Sequence, residues 1–348
     1  MGRMSSTDVL QVLNSRQSQS SRFASAQNTL YFHLLDRGIK TSRPMPDKEG
    51  RFLCPIRCDG TQWSLVEENE GQDGKGQSEG KQYMVRLFTY VPGTIFYDVP
   101  STPALFHEIG EFLADLQIAM EDYDDPVFRI RRNIWSLEYL DVIERYVFVL
   151  KEDWQVETVR DVLDAFERSK PEMMQLEQGM MHGDVNDQNI LLRKGEDGEY
   201  HVDAVLDLGD TQHSVYLLDL AVAITHLMIE CKCMDPLETG GHVLAGYARK
   251  KKMFPEEQWG LIRLGIAELF SLKVRALIAG RLSQVLVIGA YTHHLHPSNT
   301  YVLTWAARGW ELLRRFWHEC PVERLAQLWK NVLKSYEERQ TDAGSGSS

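Results

Sequence analysis

The sequence predicts an α+β fold in two lobes, with a small mixed lobe first and a large, mainly helical lobe after it. The 348 residues are too many for one small core and too few for three domains. Strand-like segments precede residue 93, whereas helical periodicity dominates from residue 102 onward. Hydrophobic residues at 43% and charged residues at 25% are ordinary values for a globular protein, so a sizeable core is expected.

Composition divides the chain into four segments. Residues 1–26 are rich in Ser and Gln and contain few apolar side chains, which predicts a disordered or poorly ordered segment. Residues 27–93 are expected to form a truncated N-terminal lobe, and residues 94–336 the helical lobe. The remaining residues, 337–348, are expected to form a flexible tail.

The first lobe is expected to contain one helix and one hairpin. Apolar residues at helical spacing predict a helix over 28–37. Strands are predicted at 63–66 and 83–90, on either side of a Gly-rich, charged loop at 67–81, which favours a β-hairpin. The Val-Pro-Gly sequence at 91–93 ends the second strand and is a plausible crossing point between the lobes.

The second lobe is expected to consist mainly of helices. Thr102 is a suitable cap and Pro103 a suitable first residue for a helix whose buried face is marked by apolar residues at helical spacing. Further helices are predicted by the same periodicity at 135–150, 156–168, 216–230, 257–290 and 301–335.

Charge and cysteine content limit the possible partners and location. The formal net charge of −12 argues against a nucleic-acid partner, because phosphate backbones are bound by clustered Lys and Arg. The apolar stretch at 216–229 is interrupted by Asp219 and His226 and is too short to span a membrane. Five cysteines without zinc-knuckle spacing predict reduced thiols and a cytoplasmic protein. The first residues also match the N-myristoylation pattern at Gly2, a pattern that arises readily by chance.

The most informative segment is residues 182–210. His182, Asp184 and Asn189 match the pattern His-x-Asp-x-x-x-x-Asn, which runs directly into an apolar strand, and Asp207 follows eighteen residues later. A polar turn with two glycines at 194–199 predicts a hairpin between them. Asn189 and Asp207 should therefore meet at the open end of the hairpin, beside Asp184.

This arrangement has the groups that phosphoryl transfer requires. Mg²⁺ prefers hard oxygen ligands, a role that fits Asn189 and Asp207. Asp184 would accept the proton of the attacking hydroxyl group. His182 is expected to brace the loop, and Asp219 to anchor loop amides from a helix. The alternative is that each Asp is an ordinary turn or cap residue, which the joint spacing disfavours.

With these residues in place, the chain resembles the aminoglycoside phosphotransferase/choline kinase-like superfamily. Gly183 supports this resemblance, because small-molecule kinases favour Gly where protein kinases usually carry Arg. Within the superfamily the chain looks closest to the hydroxylysine kinases. The stretches that carry this likeness are 87–93, 182–191, 241–246 and 290–291.

The resemblance implies a protein-kinase-like fold and a specific reaction. The phosphoryl group would pass from GTP, or ATP, with Mg²⁺ as cofactor, to the hydroxyl of a small amino acid substrate, 5-hydroxy-L-lysine. Thr89, Tyr90 and Val91 would match the hinge that holds the purine.

One departure from the family pattern leaves the function open. Such kinases carry a strand lysine paired with a helix glutamate, but no lysine-bearing strand is evident before residue 27, and Ala26 stands near the glutamate position. The chain is therefore interpreted as a working kinase with a shortened N-terminal lobe. The alternatives are a catalytically weak or dead kinase-like protein, or a kinase of homoserine, choline or ethanolamine.

Overall fold

The computed structural model describes residues 8–13, 21–58, 63–65, 81–251, 268–303 and 305–345. It divides into two compact units. The N-terminal unit comprises Met1–Pro92 and Tyr123–Ile130, and the C-terminal unit comprises Gly93–Asp122 and Arg131–Ser348. The first unit is mixed and the second mainly helical, which confirms the predicted α+β class.

The N-terminal unit is built around a five-stranded antiparallel sheet and one long helix. The strand order is β1-β5-β3-β4, and β2 also pairs with β5. Its elements are β1 (Asp8–Val12), α1 (Ser21–Asp36), β2 (Pro44–Met45), β3 (Cys54–Cys58), β4 (Trp63–Leu65), β5 (Lys81–Thr89) and, from the second part of the unit, the short helix α3 (Pro126–Arg129).

The N-terminal segment corrects one prediction. The composition predicts that residues 1–26 are disordered or poorly ordered, but β1 occupies Asp8–Val12 and α1 begins at Ser21 rather than near residue 28. Strand β1 pairs with β5, with Asp8 opposite Thr89 and Val12 opposite Val85. Strand β1 makes its backbone hydrogen bonds with β5, which lies more than seventy residues away in the sequence. The polar composition around β1 therefore does not predict a strand.

The predicted hairpin of the first lobe is also wrong in its pairing. Strand β4 pairs with β3, a segment that reads as a loop in the sequence, and β3 lies between β4 and β5. The strands on either side of the 67–81 loop are therefore not neighbours. Of that loop, residues 67–80 lie outside the described residues.

A buried arginine links strand and helix within the N-terminal unit. Arg86 on β5 is 3% exposed, and its Nε donates to Gln11 Oε1 on β1 at 2.8 Å. Its Nη1 donates to Gln27 and Asn28 on α1, at 3.3 and 3.2 Å. The ring of Phe88 lies 4.8 Å from the guanidinium carbon. Strand β1, which precedes α1, therefore carries Gln11 rather than lysine. The cation that contacts Gln11 is Arg86 on β5.

The C-terminal unit contains the remaining elements. Its strands are β6 (Thr94–Ile95), β7 (Gln178–Met181), β8 (Ile190–Lys194), β9 (Tyr200–Val205) and β10 (Gln212–Val215). Its α-helices are α2 (Pro103–Ala119), α4 (Asp153–Met173), α5 (Tyr216–Glu230), α6 (Pro236–Lys250), α7 (Glu268–Leu295), α8 (Ala306–Arg314) and α9 (Val322–Ser345). 3₁₀-helices occupy Phe96–Asp98, Leu137–Val149, Leu208–Asp210 and Tyr301–Leu303, and a π-helix occupies Arg315–Glu319.

Helices α2 and α6 pack with their backbones in contact. A Cβ at Gly110 would lie 2.0 Å from the carbonyl oxygen of Val243, and one at Gly246 would lie 1.8 Å from that of His107. Only glycine allows this approach. The tight pair supports α5, which carries Asp219 toward the 182–189 loop.

Helix α7 lies in the core of the C-terminal unit. Its part from Lys273 to Leu295 is long and apolar enough to cross a membrane by length and composition, but 78% of its most apolar window is buried within the fold. Burial of this extent is typical of a core helix of a globular protein.

Candidate active site

The 182–189 loop joins two strand pairs of the C-terminal unit. Strand β7 ends at Met181 and pairs with β10, and β8 begins at Ile190 and pairs with β9. The loop is therefore fixed at both ends by antiparallel ladders. We refer to residues 182–189 as the catalytic loop.

Asp219 on α5 holds the start of the catalytic loop. Its Oδ2 accepts from the His182 amide at 3.1 Å, and its Oδ1 from the Gly183 amide at 2.9 Å. Gln117 Nε2 on α2 donates to Oδ2 at 3.2 Å. The side chain is buried, and burial raises the pKa of this carboxyl, while His182 and the donated hydrogen bonds lower it. Asp219 thus satisfies two loop amides that would otherwise be buried without partners.

Replacing Asp219 by Ala is expected to destabilise the protein by about 3 kcal/mol, because three buried donors lose their acceptor. Chemical denaturation followed by circular dichroism measures this loss. The control is Asp115→Ala, since Asp115 forms an exposed ion pair with Lys250 and such pairs contribute little. Equal stabilities of the two variants would contradict the anchoring role.

Gly183 is required by the shape of the loop. Its φ is +83°, and a Cβ there would lie 2.4 Å from the carbonyl oxygen of Asp210. Any side chain would therefore meet both an unfavourable backbone conformation and a steric clash. This explains why the loop carries Gly between His182 and Asp184.

The β8–β9 hairpin brings three of the predicted site residues together. Ile190 pairs with Val205, and the Leu206 amide donates to the Asn189 carbonyl at 2.8 Å, so Asn189 lies at the open end beside Asp207. Asn189 Nδ2 donates to the Asp184 carbonyl at 2.9 Å and to Asp184 Oδ2 at 3.2 Å. This is the convergence that the hairpin spacing predicts.

Asp207 has an unusual backbone conformation. Its φ is 54° and its ψ 83°, and it is the one non-glycine residue with positive φ in the described ranges. Its Oδ1 accepts from the Gly209 amide at 2.8 Å. Left-handed conformations cost energy for residues other than glycine and tend to occur at functional sites. The surrounding structure thus imposes this geometry on Asp207.

The oxygens at this point suit a hard cation. Asn189 donates through Nδ2 to Asp184, so the Oδ1 of Asn189 is directed away from that bond. Asp207 accepts from the Gly209 amide through Oδ1, and its Oδ2 lies beside that oxygen. Across the described ranges, no three His, Cys, Asp or Glu side chains cluster as metal ligands. A carboxylate and an amide that leave positions for phosphate oxygens are what Mg²⁺ uses in nucleotide enzymes. Asn189 and Asp207 therefore fit Mg²⁺ better than a metal that needs nitrogen or sulfur ligands.

His182 lies between the catalytic loop and β9. Its Nε2 lies 2.9 Å from the Leu206 carbonyl oxygen, which fixes the proton on Nε2, and Nδ1 accepts from the Asp184 amide at 3.2 Å. The side chain is buried. His182 therefore connects the backbone of Asp184 to the backbone of Leu206, which precedes Asp207. These two contacts hold the catalytic loop against the end of β9.

Arg281 on α7 is a site residue that sequence reasoning missed. Its Nη2 donates to Asp184 Oδ1 at 2.8 Å, and its side chain is 3% exposed. Its Nη1 donates to the Trp135 carbonyl at 3.2 Å and to Gln284 Oε1 at 3.0 Å. His226 Nε2 lies 3.4 Å from both Nε and Nη2. Burial and Arg281 lower the pKa of His226 to about 4, so at neutral pH this imidazole accepts from Arg281. A buried Arg within the apolar pattern of a core helix was the available sequence signal, although Arg275 on the same helix gives a similar one.

A second group, around Asp210, was also missed. Asn133 Nδ2 donates to Asp210 Oδ1 at 2.9 Å, and Arg131 Nη2 lies 3.4 Å from the same oxygen. Arg131 Nη2 also donates to the Gly209 carbonyl at 2.5 Å. Burial, together with the nearby Asp184 carboxylate, raises the pKa of Asp210 to about 6. Asp210 and Asp184 are thus two carboxylates in one electrostatic environment.

For the phosphoryl transfer that the sequence predicts, replacing Arg281 by Met is expected to lower kcat by about 100-fold and to leave nucleotide affinity unchanged, because misplacement of a reacting group by about 1 Å has that effect. Arg281→Lys should recover part of the loss, since it keeps the charge but not the fork of donors. The matched control is Arg275→Met. Arg275 lies on the same helix but donates to the carbonyls of Phe316 and Trp317. Both variants are compared by steady-state kinetics. An equal loss of kcat in Arg281→Met and Arg275→Met would show that Arg281 acts only on stability.

The predicted hinge residues lie in the N-terminal unit, at the end of β5. The Thr89 amide donates to the Arg43 carbonyl at 2.9 Å, and Thr89 Oγ1 accepts from the Arg43 amide at 3.0 Å. Tyr90 is 54% exposed, whereas Val91 is buried. Their part in nucleotide binding stays a prediction.

The geometry of the catalytic loop and hairpin agrees with what comparison with known proteins finds. The sequence matches a group described as the phosphotransferase enzyme family over residues 67–251, more than half of the chain. The chain belongs to the phosphotransferase enzyme family. The resemblance predicted from residues 182–210 is thereby confirmed.

The relatives of this family member are small-molecule kinases. Hydroxylysine kinase of Bos taurus is 30% identical over 341 residues, which covers 94% of this chain and 81% of the relative. Two solved structures share the fold at 16% identity. For a microcompartment-associated aminopropanol kinase the TM-score is 0.63, and the match covers 91% of this chain and 87% of the kinase chain. For the amicoumacin kinase hAmiN the TM-score is 0.59, and the match covers 90% of this chain and 83% of the kinase chain. The protein-kinase-like fold is therefore confirmed as well.

Proposed function

We propose that this phosphotransferase is a small-molecule kinase that transfers a phosphoryl group from GTP, or ATP, to the hydroxyl of 5-hydroxy-L-lysine. The observation that carries the proposal is the convergence of Asp184, Asn189 and Asp207 at the open end of one hairpin. The likeness to hydroxylysine kinase over nearly the whole chain supports this choice of acceptor. We also propose that the protein acts in the cytoplasm.

Each residue of the site has a distinct role in this proposal. Asp184 would accept the proton of the attacking hydroxyl and hold that oxygen in line with the transferred phosphoryl. Asn189 and Asp207 would hold Mg²⁺, which would offset the charge that develops on the phosphate oxygens. His182 and Asp219 would keep the loop backbone in place.

The Asp184 carboxylate is well positioned for this role. Arg281 donates to its Oδ1 at 2.8 Å, and Asn186 Nδ2 and Asn189 Nδ2 donate to its Oδ2 at 2.9 and 3.2 Å. Fixed donors on both oxygens keep the carboxylate in one orientation before the substrate arrives. Such preorganisation removes reorganisation from the barrier of the chemical step.

A second candidate function is favoured by one observation in the N-terminal unit. Strand β1, which precedes α1, contains no lysine, whereas kinases carry a phosphate-binding lysine on a strand of this lobe. Arg86 is the cation that contacts Gln11, but it is buried. A catalytically weak or inactive protein that binds nucleotide would have this arrangement, and we keep it as the alternative.

A coupled assay distinguishes the two functions. Purified protein is incubated with Mg²⁺, GTP or ATP, and 5-hydroxy-L-lysine, homoserine, choline or ethanolamine, and the product is identified by ³¹P NMR and mass spectrometry. The proposal predicts a phosphate ester of hydroxylysine. Binding of Mg²⁺-nucleotide by folded protein without turnover of any acceptor would contradict it and support the alternative.

A further inference from the structure

Asp210 presents a second carboxylate beside the proposed base. It ends the 3₁₀-turn Leu208–Asp210, directly after Asp207. Gly183 packs against it, since a Cβ at Gly183 would lie 3.4 Å from the Asp210 Cβ. Asp184 is the next residue along the loop, and its charge is the second largest influence on the Asp210 carboxyl, after burial. Asp210 therefore packs against the catalytic loop, next to the residue that carries the proposed base.

The fixed partners of Asp210 use one of its two oxygens. Asn133 and Arg131 both approach Oδ1, at 2.9 and 3.4 Å. Within the described part of the chain, Oδ2 accepts no hydrogen bond, and the side chain is 24% exposed. The carboxylate is thus oriented from one side and accessible to a small ligand from the other.

The charges of this region favour a cationic acceptor. The carboxylates of Asp184 and Asp207 both raise the pKa of Asp210, while Arg131, which pairs with Asp210, and Arg281, which pairs with Asp184, lower it. Like charges at short range disfavour each other, and a bound ammonium group relieves that repulsion. A charged donor to a partly buried carboxylate also forms a strong hydrogen bond.

We propose that Asp210 selects the acceptor by binding an ammonium group on the carbon next to the one that bears the reacting hydroxyl. The acceptor class is then the vicinal amino alcohols. This inference rests on the proposed function and specifies it, because the side chain of 5-hydroxylysine ends in such a unit. The acceptor hydroxyl would donate a hydrogen bond to Asp184, and the neighbouring ammonium group would donate one to Asp210.

The reaction leaves the ammonium group unchanged. A bond forms between the acceptor oxygen and the γ-phosphorus, and the bond from that phosphorus to the β–γ bridging oxygen breaks. The hydroxyl proton moves to Asp184, and the bridging electron pair leaves with the nucleoside diphosphate. Asp210 is therefore a specificity-determining residue, whose effect depends on the charge of the acceptor.

The test compares acceptors that differ in one group. 5-Hydroxylysine has the vicinal amine, 5-hydroxynorleucine lacks it, and 1-amino-2-propanol contains little beyond the amino alcohol unit. We expect the wild type to prefer hydroxylysine over hydroxynorleucine by about 100-fold in kcat/KM, and to phosphorylate 1-amino-2-propanol. A charged hydrogen bond of this kind contributes roughly that factor.

Asp210→Asn should reduce this preference to less than tenfold, mainly through the KM for hydroxylysine, without changing the KM for nucleotide. Asp210→Glu, which keeps the charge, should retain most of it. Asp115→Asn, the exposed control, should behave as the wild type. An undiminished preference in Asp210→Asn would overturn the proposal. Loss of Mg²⁺-nucleotide binding in that variant would also overturn it, because Asp210 would then belong to the metal site.

The proposal is also tested if the wild type shows no turnover. Calorimetric titration of hydroxylysine and hydroxynorleucine into protein with Mg²⁺ and a non-hydrolysable GTP analogue measures the same discrimination at equilibrium. Tighter binding of hydroxylysine that depends on Asp210 would support the amino alcohol site although the proposed kinase activity had failed. Equal binding of the two ligands would overturn it.

Discussion

Replacing Asp184 by Asn is expected to lower kcat by about 10³-fold while the dissociation constant for Mg²⁺-nucleotide stays within threefold of the wild type. In the proposed reaction Asp184 acts on the acceptor hydroxyl, and a positioned base contributes about 10²–10⁴-fold to such a step. Asn is preferred to Ala because its oxygen can still accept from Arg281, which otherwise would be left buried without its partner. Single-turnover transfer and nucleotide titration measure the two quantities separately.

Two controls make this result interpretable. Asp184→Ala removes the acceptor of Arg281 as well, so it should be less stable than Asp184→Asn by about 1–3 kcal/mol, yet no more active. Asp115→Asn should keep full activity. Turnover by Asp184→Asn at the wild-type rate would contradict the base assignment. Nucleotide binding as weak as that of an unfolded sample would also count against it.

The second large effect is expected at Asp207. Replacing it by Asn or Gly should weaken Mg²⁺-dependent nucleotide binding by more than tenfold and reduce kcat by about 10²–10³-fold, the effect expected when one stabilising group is removed from a transition state. The reason is the loss of the carboxylate that is proposed to bind Mg²⁺ at the open end of the β8–β9 hairpin. A titration of Mg²⁺ at fixed nucleotide measures the shift.

The backbone of Asp207 gives this prediction a further test. Glycine adopts a φ of 54° without the cost that Asp bears there. Asp207→Gly should therefore be more stable than Asp207→Ala by about 1 kcal/mol, although kcat falls in both variants. A Mg²⁺ titration unchanged from the wild type in Asp207→Gly would remove Asp207 from the metal site.

The parts of the site that could be predicted from the sequence are local. The catalytic loop, the hairpin and Asp207 lie within 26 residues, so turn chemistry and strand pairing were enough to bring Asn189 and Asp207 together. Asp219 lies only 37 residues from His182, in an adjacent helix. Short connections of this kind leave few alternatives for the arrangement of the chain.

The remaining residues reach the site through tertiary packing. Arg281 is 97 residues from Asp184, and Asn133 is 77 residues from Asp210. Their positions depend on how helices of the C-terminal unit pack, which hydrophobic periodicity does not specify. The same reason applies in the N-terminal unit, where β1 is formed by pairing with β5 and Gln11 meets Arg86 across 75 residues. Sequence patterns therefore predicted the proposed reacting groups and their nearby supports, His182 and Asp219, but not the distant residues Arg281 and Asn133.

In the proposed site, Asn189 and Asp207 hold the metal while Asp184 faces the acceptor. A crystal structure of the protein with Mn²⁺, a non-hydrolysable GTP analogue and 5-hydroxylysine tests this arrangement, since anomalous scattering locates Mn²⁺ without ambiguity. We expect an anomalous peak within coordination distance of Asn189 Oδ1 and Asp207, with the acceptor hydroxyl within hydrogen-bond distance of Asp184. A metal bound elsewhere, with Asp184 turned away from the acceptor, would contradict it.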